Sequence, residues 1–435
     1  MTRIVFHADP KMLPTQASSA RIDVALYSGN LIPDGIGRVG FQLLDLVTRF
    51  GVESPIAAFD FLTISLAVVA ADTFVKRESG DDGWSRRFEL TIPLANPKPW
   101  TAAKKKLEST LRFLSGDVWK LTFEPGGRHP PSKAEIARRK RRFDISTVDG
   151  VCLFSGGLDS AIGAVELVGK GRKPLLVSHS YVKDGKVQRR VAGKIVADCS
   201  HINANANPTG VGVDDDSMRT RSIVFLGVGA VAASALSEYR GGRKIDLFIP
   251  ENGFIALNAP LTPRRIGSHS TRTAHPHFLQ AMQEIWDVAK MPVRLENPYR
   301  TETKGEMLAR HAKDAELVKG FMATVSCGKW KREDQQCGRC VPCLVRRAAF
   351  HAAKIPDKTS YRFDKLREAL QDEDDRDDMI AVLSAVRRLA SSDADRWLAK
   401  AGPLPLVTRE RKKLVSVFER GVAELEIFLR SALRK

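Results

Sequence analysis

The sequence predicts an α/β fold: a parallel sheet with helices on both faces, preceded by an N-terminal α+β domain and followed by a helical tail. Three observations carry that expectation. From about residue 145, short β-branched runs alternate with helical periodicity, the pattern of strands joined by crossover helices. One run, 150–154, empties into Ser155-Gly156-Gly157-Leu158-Asp159-Ser160, and a helical stretch follows from Ala161 to Val168. Four of the six cysteines crowd into residues 327–343 and close the unit with a small knuckle.

Residues 1–125 carry alternating strand patterns at 21–27 and 86–94, an amphipathic helix at 40–50, a largely apolar helix at 60–71 and a charged helix near 104–114. No catalytic constellation stands out there, so this stretch is expected to dock or scaffold. Residues 126–147 read as loop punctuation followed by a basic linker. The segment 148–350 is expected to supply about five strands, drawn from 150–154, 174–178, a short run near Ile202, 245–250, 293–295 and 323–326. Helices fall at 187–199, 219–239 and 276–289. Ligands of such sheets sit beyond the carboxyl ends of the strands. That rule puts the glycine turn, Ser178-His179-Ser180 and Glu251-Asn252-Gly253 on one rim. Residues 351–435 read as helical, with an acidic break at 372–378 and an amphipathic helix at 409–433.

With 435 residues the chain has room for two or three domains. Its net charge of +18 suits an anionic partner. Much of the excess lies in Lys104-Lys105-Lys106 and Arg138-Arg139-Lys140-Arg141-Arg142, where a solvated face is the simplest reading, with an acidic partner protein or RNA as the alternatives. There is no uncharged apolar run of membrane-spanning length and no basic-then-apolar leader, so the expectation is a cytoplasmic protein without a membrane partner.

The glycine turn between strand and helix is an anion cradle. Gly156 and Gly157 let the backbone approach a ligand, the first-turn N–H groups and the helix dipole point at it, and Ser155 and Ser160 add hydroxyl donors. A phosphate chain is the favoured guest, although no Gly-Lys-Ser/Thr follows as a Walker loop requires. Asp159 is a candidate for holding Mg²⁺ through water or for fixing the loop. Lys304 follows the Thr303-x-x-Glu306 capping box, as either a phosphate contact or a helix-surface lysine. Glu251, Asn252 and Gly253 end a strand where polar groups can read the edge of a base. Arg221 and Arg272 are suited to a carboxylate or phosphate. His269, His275 and His277 suit a pocket lining better than a metal, because Pro276 interrupts their spacing.

Cys327, Cys337, Cys340 and Cys343 have the spacing to wrap a tetrahedral zinc ion in a closed, structural site. An iron–sulfur cluster is the competing expectation. It is disfavoured because Arg347 and no Cys-Pro ending stands beyond Cys343. Cys152 and Cys199 read as buried small hydrophobes.

The turn at 155–160 resembles the PP-loop of ATP pyrophosphatases, which split ATP between its α and β phosphates. Together with the four-cysteine spacing it resembles the QueC family, the 7-cyano-7-deazaguanine synthases. Weaker likenesses are the helix led by Arg221, with Ser222 where that family usually has asparagine, and Pro298 through Lys304 to Glu306. The resemblance covers about residues 148–350. It implies ATP as substrate with Mg²⁺ and Zn²⁺ as cofactors, Asp159, Ser160 and Lys304 as catalytic groups, and Ser155 to Ser160 with Ser178 on the nucleotide. A 7-deazaguanine-type base would then meet Arg221, Glu251, Asn252, Gly253, Arg272 and His275. Two departures stand out. Arg272, His275 and His277 replace an acidic, cysteine-containing substrate segment, and the regions flanking 148–350 are extra. The longer build resembles QatC-type members of an anti-phage operon, which implies a defence role, a partner protein on residues 1–125, and ammonia or a protein amine as acyl acceptor. A tRNA-modifying enzyme and a non-catalytic nucleotide-binding scaffold are the alternatives.

Overall fold

The computed structural model describes residues 1–29, 32–179, 182–212, 215, 219–261, 272–330, 335–371, 376–389 and 393–434. Ser180, His269 and part of the acidic break at 372–378 lie outside the described residues. Two five-stranded sheets organise the chain, and every strand pairing in them is parallel.

The first sheet contains β1 (Thr2–His7), β2 (Ile22–Leu26), β3 (Gly37–Val39), β4 (Arg87–Pro93) and β5 (Val118–Glu124), in the order β3-β2-β1-β4-β5. The N-terminal part, expected as α+β, is therefore a parallel sheet in its own right. Its alternation is hard to read because, among the described residues, no α-helix lies between β1 and β2 or between β2 and β3. The helices that do cross over, Ile56–Phe74 and Pro97–Ser115, are long, and they cover one face. The other face is polar and partly wet, with Arg3 and Lys120 both paired to Glu89 across β1, β4 and β5.

The second sheet contains β6 (Gly150–Leu153), β7 (Pro174–His179), β8 (His201–Ala204), β9 (Ile245–Phe248) and β10 (Val293–Glu296), ordered β10-β9-β6-β7-β8. The chain walks from β6 outward to β8, then returns to the other side of β6 as β9. The strand order reverses between β6 and β9, so the ligand crevice of an open parallel sheet falls at their carboxyl ends. The run at 323–326, expected as a strand, is an irregular connection that begins as a turn at the end of the Ala315–Met322 helix. It makes one backbone bond to the glycine turn, from Val325 N to Gly156 O at 3.1 Å. Its apolar spacing serves packing against that turn.

The two sheets face each other across a double layer of helices and share a single apolar cluster. The Ile56–Phe74 helix lies against the Arg221–Tyr239 helix, and Pro97–Ser115 lies against Pro276–Val288. Arg221–Tyr239 is apolar all round, as a helix enclosed on every side must be. One side of it meets the N-terminal helix at Gly227, where an added Cβ would stand 2.8 Å from Ser65 Oγ. The opposite side meets the second sheet at Gly229, where a Cβ would come within 3.0 Å of both Leu153 and Leu247. By length and composition Ile56–Phe74 and Arg221–Tyr239 could each cross a membrane, yet 89% and 78% of their most apolar windows are buried inside the protein.

A second buried cluster joins the Val341–Ala352 helix to the C-terminal Thr408–Arg434 helix and the short Gly253–Ala256 helix. Gly227→Val should overpack the contact between the two long helices and lower stability by about 1–3 kcal/mol. Thermal denaturation reads the loss, and an unchanged melting curve would contradict the close approach.

Candidate functional site

The turn expected to cradle an anion occupies the β6–β9 crevice. Phe154 is fully buried, and the chain then surfaces at Ser155, which is exposed. Gly156 adopts φ of 77°, a left-handed conformation that a side chain would strain. Gly157 is the N-cap of the Leu158–Gly169 helix and has no side chain to cap it, so the first amides of that helix remain available to a ligand. Ser160 Oγ donates to Gly157 O at 3.0 Å and lies 3.1 Å from Ser155 Oγ, while Gly157 N donates to Ser155 Oγ at 3.3 Å. Gln188 closes the back of the turn, with Nε2 donating to Ser155 O at 3.3 Å. Its own Oε1 is held by Asn203 at 2.9 Å.

Asp159 and Lys304 meet. The Lys304 ammonium stands 2.9 Å from Asp159 Oδ1, and both side chains are almost fully buried. Asn252 Nδ2 donates to Asp159 Oδ2 at 2.7 Å. Burial opposes the Asp159 charge, but Lys304 above all, with hydrogen bonds from Glu251 and Asn252, holds its carboxyl below the usual range. Burial, then the Asp159 charge and a hydrogen bond to it, push neighbouring Glu251 well above the usual range. The two neighbouring carboxyl groups are thus driven in opposite directions, Asp159 toward the charged form by Lys304 and Glu251 toward the neutral form by burial beside Asp159. Thr303 and Glu306 form the capping box read from the sequence, and Lys304 is the first residue of the Lys304–Ala309 helix. Its side chain turns inward to Asp159 instead of out to solvent. Gly253 packs so tightly that a Cβ would stand 2.2 Å from Arg300 O.

The remaining candidates spread along the rim and beyond it. Ser178 is fully buried and donates its hydroxyl proton to Phe154 O, so His201 Nε2, at 2.8 Å, is the donor to Ser178. Burial, and then Arg189, hold His201 down at about 4, which keeps that imidazole neutral. Arg221 binds His179 O at 3.1 Å and Asp184 at 2.8 Å, at the end of β7. Arg272 and His275 lie at the junction with the first unit. Arg272 donates to Phe113 O at 2.8 Å and lies over the Phe113 ring. His275 caps the Pro276–Val288 helix by accepting from His277 N, and it also meets Phe113 edge-on. Burial pushes Arg272 down to about 10, and it pushes His275 down to about 3 with help from Arg272 and His277.

The four cysteines converge. All four Sγ atoms lie within 4.8 Å of one another, and Cys337–Cys343 and Cys340–Cys327 are each 3.9 Å apart. A tetrahedron with metal–sulfur bonds of ~2.3 Å has edges of ~3.8 Å, so the cluster fits a four-coordinate ion. Backbone N–H groups of Lys329 and Cys337 point at Cys327 Sγ, and that of Cys340 points at Cys337 Sγ, each at 3.3 Å. Such donors stabilise thiolates.

Cavities of about 440 and 400 Å³ open at the amino ends of the second sheet, lined in part by Lys173 and Cys199 and by Arg240 and Asp246 respectively. They lie on the far side from the glycine turn.

Residues 273–354 match the family described as queuosine biosynthesis protein QueC. That stretch holds Lys304 and all four cysteines, and it leaves the glycine turn outside. Proteins named 7-cyano-7-deazaguanine synthase from Brucella ovis, Brucella canis and Brucella suis are each 42% identical over 89 residues. The aligned part is 20% of this chain and 36% of each relative, so the chain spans about a third of the relatives' length. The QueC-like stretch therefore carries Lys304 to Asp159 while the fold supplies the turn that Asp159 belongs to.

No local pattern points to a group supplied by the C-terminal helix. Glu424 accepts from Thr303 Oγ1, and Arg420 pairs with Glu306 at 2.6 Å. Burial pushes Glu424 up to about 7, against hydrogen bonds from Thr303 and Gly305, with Glu306 raising it and Arg420 lowering it.

Two outcomes follow. Lys304→Met leaves a buried carboxylate without its cation and should cost about 3–5 kcal/mol. In a urea-denaturation cycle Asp159→Asn should recover much of that loss, and strict additivity would mean that the two groups do not interact. For Glu424 the folded pKa is raised above 4.5 to about 7, so its contribution is fully present below the lower value and is lost as pH rises through the upper one. Stability should therefore fall between about pH 4.5 and 7. Glu424→Gln should flatten that part of the profile, as measured by urea midpoints across pH.

Proposed function

We propose that the protein is a QueC-like, ATP-dependent enzyme that adenylates the carboxyl group of a 7-carboxy-7-deazaguanine-like base, releasing pyrophosphate. The acyl group then passes to ammonia or to an amine of a protein. The observation that carries this reading is the position of the glycine turn at the β6–β9 reversal, with Asp159 joined there to Lys304 from the QueC-like stretch.

A carboxylate resists acyl transfer because its leaving group would be oxide. Attack of its oxygen on the α-phosphorus of ATP breaks the bond to the β-phosphate oxygen, and pyrophosphate leaves with that electron pair. The resulting mixed anhydride has AMP as its leaving group, which an amine displaces. Amides of Gly156 and Gly157 and the hydroxyls of Ser155 and Ser160 would meet the charge that builds on the departing pyrophosphate. Leu158 begins the helix behind them, and Ser178 anchors the floor through Phe154 and His201. Lys304 would serve as a fixed point charge, oriented by Asp159. Asp159 would hold Mg²⁺ brought by the triphosphate through water, and the ion supplies charge neutralisation. Asn252, Gly253 and Glu251 lie where a base edge would be read, and Arg221 at the rim suits the carboxylate. Arg272 and His275 would act from further off, through the junction at Phe113. The four cysteines would hold Zn²⁺ in a closed site that keeps the 327–343 segment folded.

The defence setting and a partner on residues 1–125 rest on the likeness of the longer build to QatC-type proteins. Mass spectrometry of co-expressed partners, searching for an added deazaguanine, tests that setting.

Incubating the zinc-loaded protein with ATP and the carboxylated base should release pyrophosphate. Ser160→Ala should cut the rate by about 10²-fold. Absence of release with ammonia and candidate protein acceptors present would overturn the assignment.

A further inference from the structure

We infer that the two regions flanking the nucleotide unit act as positioning devices. Each delivers a carboxylate that caps, from another part of the chain, a helix whose first residue is one of the two rim cations, Arg221 and Lys304. This rests on the nucleotide reading given above.

The first helix is Arg221–Tyr239. Its N-cap, Thr220, makes no side-chain cap bond within the helix. The third helical position, where a capping box places Glu or Gln, is Ile223, which has no acceptor to offer. Asp72, from the N-terminal unit, takes that role. Its Oδ2 accepts Thr220 N at 2.7 Å and Thr220 Oγ1 at 2.8 Å. Asp72 is itself held by Arg86, which shares Asp117 with Arg77, and these four side chains are almost completely buried. Arg219, the residue before the cap, lies 4.1 Å over the Trp84 ring of the same unit. The N-terminal unit therefore grips the chain just before Arg221, and Arg221 in turn holds the end of β7 through His179 O.

The second helix is Lys304–Ala309. It has its own capping box, in which Thr303 N donates to Glu306 Oε2 at 2.8 Å and Glu306 N to Thr303 Oγ1 at 3.1 Å. The C-terminal helix adds a further acceptor. Glu424 takes the Thr303 hydroxyl proton and the Gly305 N–H. The approach is so close that a Cβ on Gly305 would stand 2.5 Å from the Glu424 carboxylate. Arg420, one turn earlier, binds Glu306 and accepts no freedom from the preceding loop, since it also donates to Thr301 O at 2.8 Å. Arg300 is tied to Glu410 at 2.9 Å. Residues 300–306 are thus clamped along the C-terminal helix between Glu410 and Glu424, and Lys304 leaves that clamp to reach Asp159.

The two devices have one chemical logic. The side chain at the first position of a helix leaves in a direction set by the backbone of the helix start. An acceptor oxygen brought to that start from another part of the chain satisfies donors that the helix leaves unpaired and so fixes that direction. Glu424 and Asp72 lie outside the stretch that matches the QueC family, so the control of these two cations has been passed to the flanking regions.

The test uses the full-length protein with Glu424→Ala, Glu424→Gln and Thr220→Val, with melting temperatures recorded for each. In pyrophosphate release, Glu424→Ala should lower kcat about tenfold while the KM for ATP stays within about threefold, because Lys304 acts on the departing charge. Glu424→Gln keeps an acceptor oxygen and should recover most of that rate. Thr220→Val should instead raise the KM for the carboxylated base several-fold. Hydrogen–deuterium exchange gives a readout independent of activity. Glu424→Ala should speed exchange at 303–309 and at 155–160, and Thr220→Val should do so at 219–224. Variants that exchange like the parent at those segments, or that lose activity only in proportion to folded protein, would overturn the inference. A parent protein that releases no pyrophosphate would defeat the nucleotide reading alone, and the exchange data would still decide the positioning.

Discussion

The ion pair between Asp159 and Lys304 is the constraint on which the site depends. It ties the helix after β6 to the helix after β10, and Asn252, from beyond β9, completes the tie. Three segments far apart in sequence are thereby fixed at the one place where the strand order reverses. Two opposite charges are costly to bury separately and tolerable only together. The pair consequently specifies geometry more than it adds stability. The upward push on Glu251 belongs to the same balance, since burial and the Asp159 charge both disfavour a second bare carboxylate there.

Around this pair the protein is arranged in shells of support. Gln188 and Val325 hold the glycine turn from behind, and the cysteine cluster anchors the chain that carries Val325. The N-terminal unit and the C-terminal helix each reach the rim at the start of a helix, through Asp72 at Thr220 and Glu424 at Thr303.

Legibility in the sequence followed the range of the interaction. The strand, turn and helix at 150–168 and the four cysteines were readable because each is a short-range spacing with one dominant chemical explanation. Alternation exposed the second sheet for the same reason. The first sheet was harder, because its first two connections contain no α-helix to set up the alternating pattern, and β1, β3 and β5 passed without notice. The run at 323–326 was misjudged because apolar spacing does not distinguish a strand from an irregular connection packed on a turn. Lys304 stood equally well as a surface residue, since a capping box fixes the backbone of a helix start and not the direction of the next side chain. Asp72 and Glu424 act on residues more than a hundred positions away, and nothing local announces a partner at that distance. The sign available for Asp72 was that it is one of two carboxylates, with Asp60, inside a largely apolar helix.

The Arg221–Tyr239 helix, closed in between the two sheets, has a consequence for how this architecture could be taken apart. Pared down to the nucleotide unit alone, the molecule would turn toward water the flank that Ile56–Phe74 now hides, a greasy strip close to the length of a bilayer core. Such a fragment would be sticky, or would be handled in a cell as though it belonged in lipid. The N-terminal sheet is therefore half of the wrapping around a shared inner pillar, and the two halves are bound to keep company.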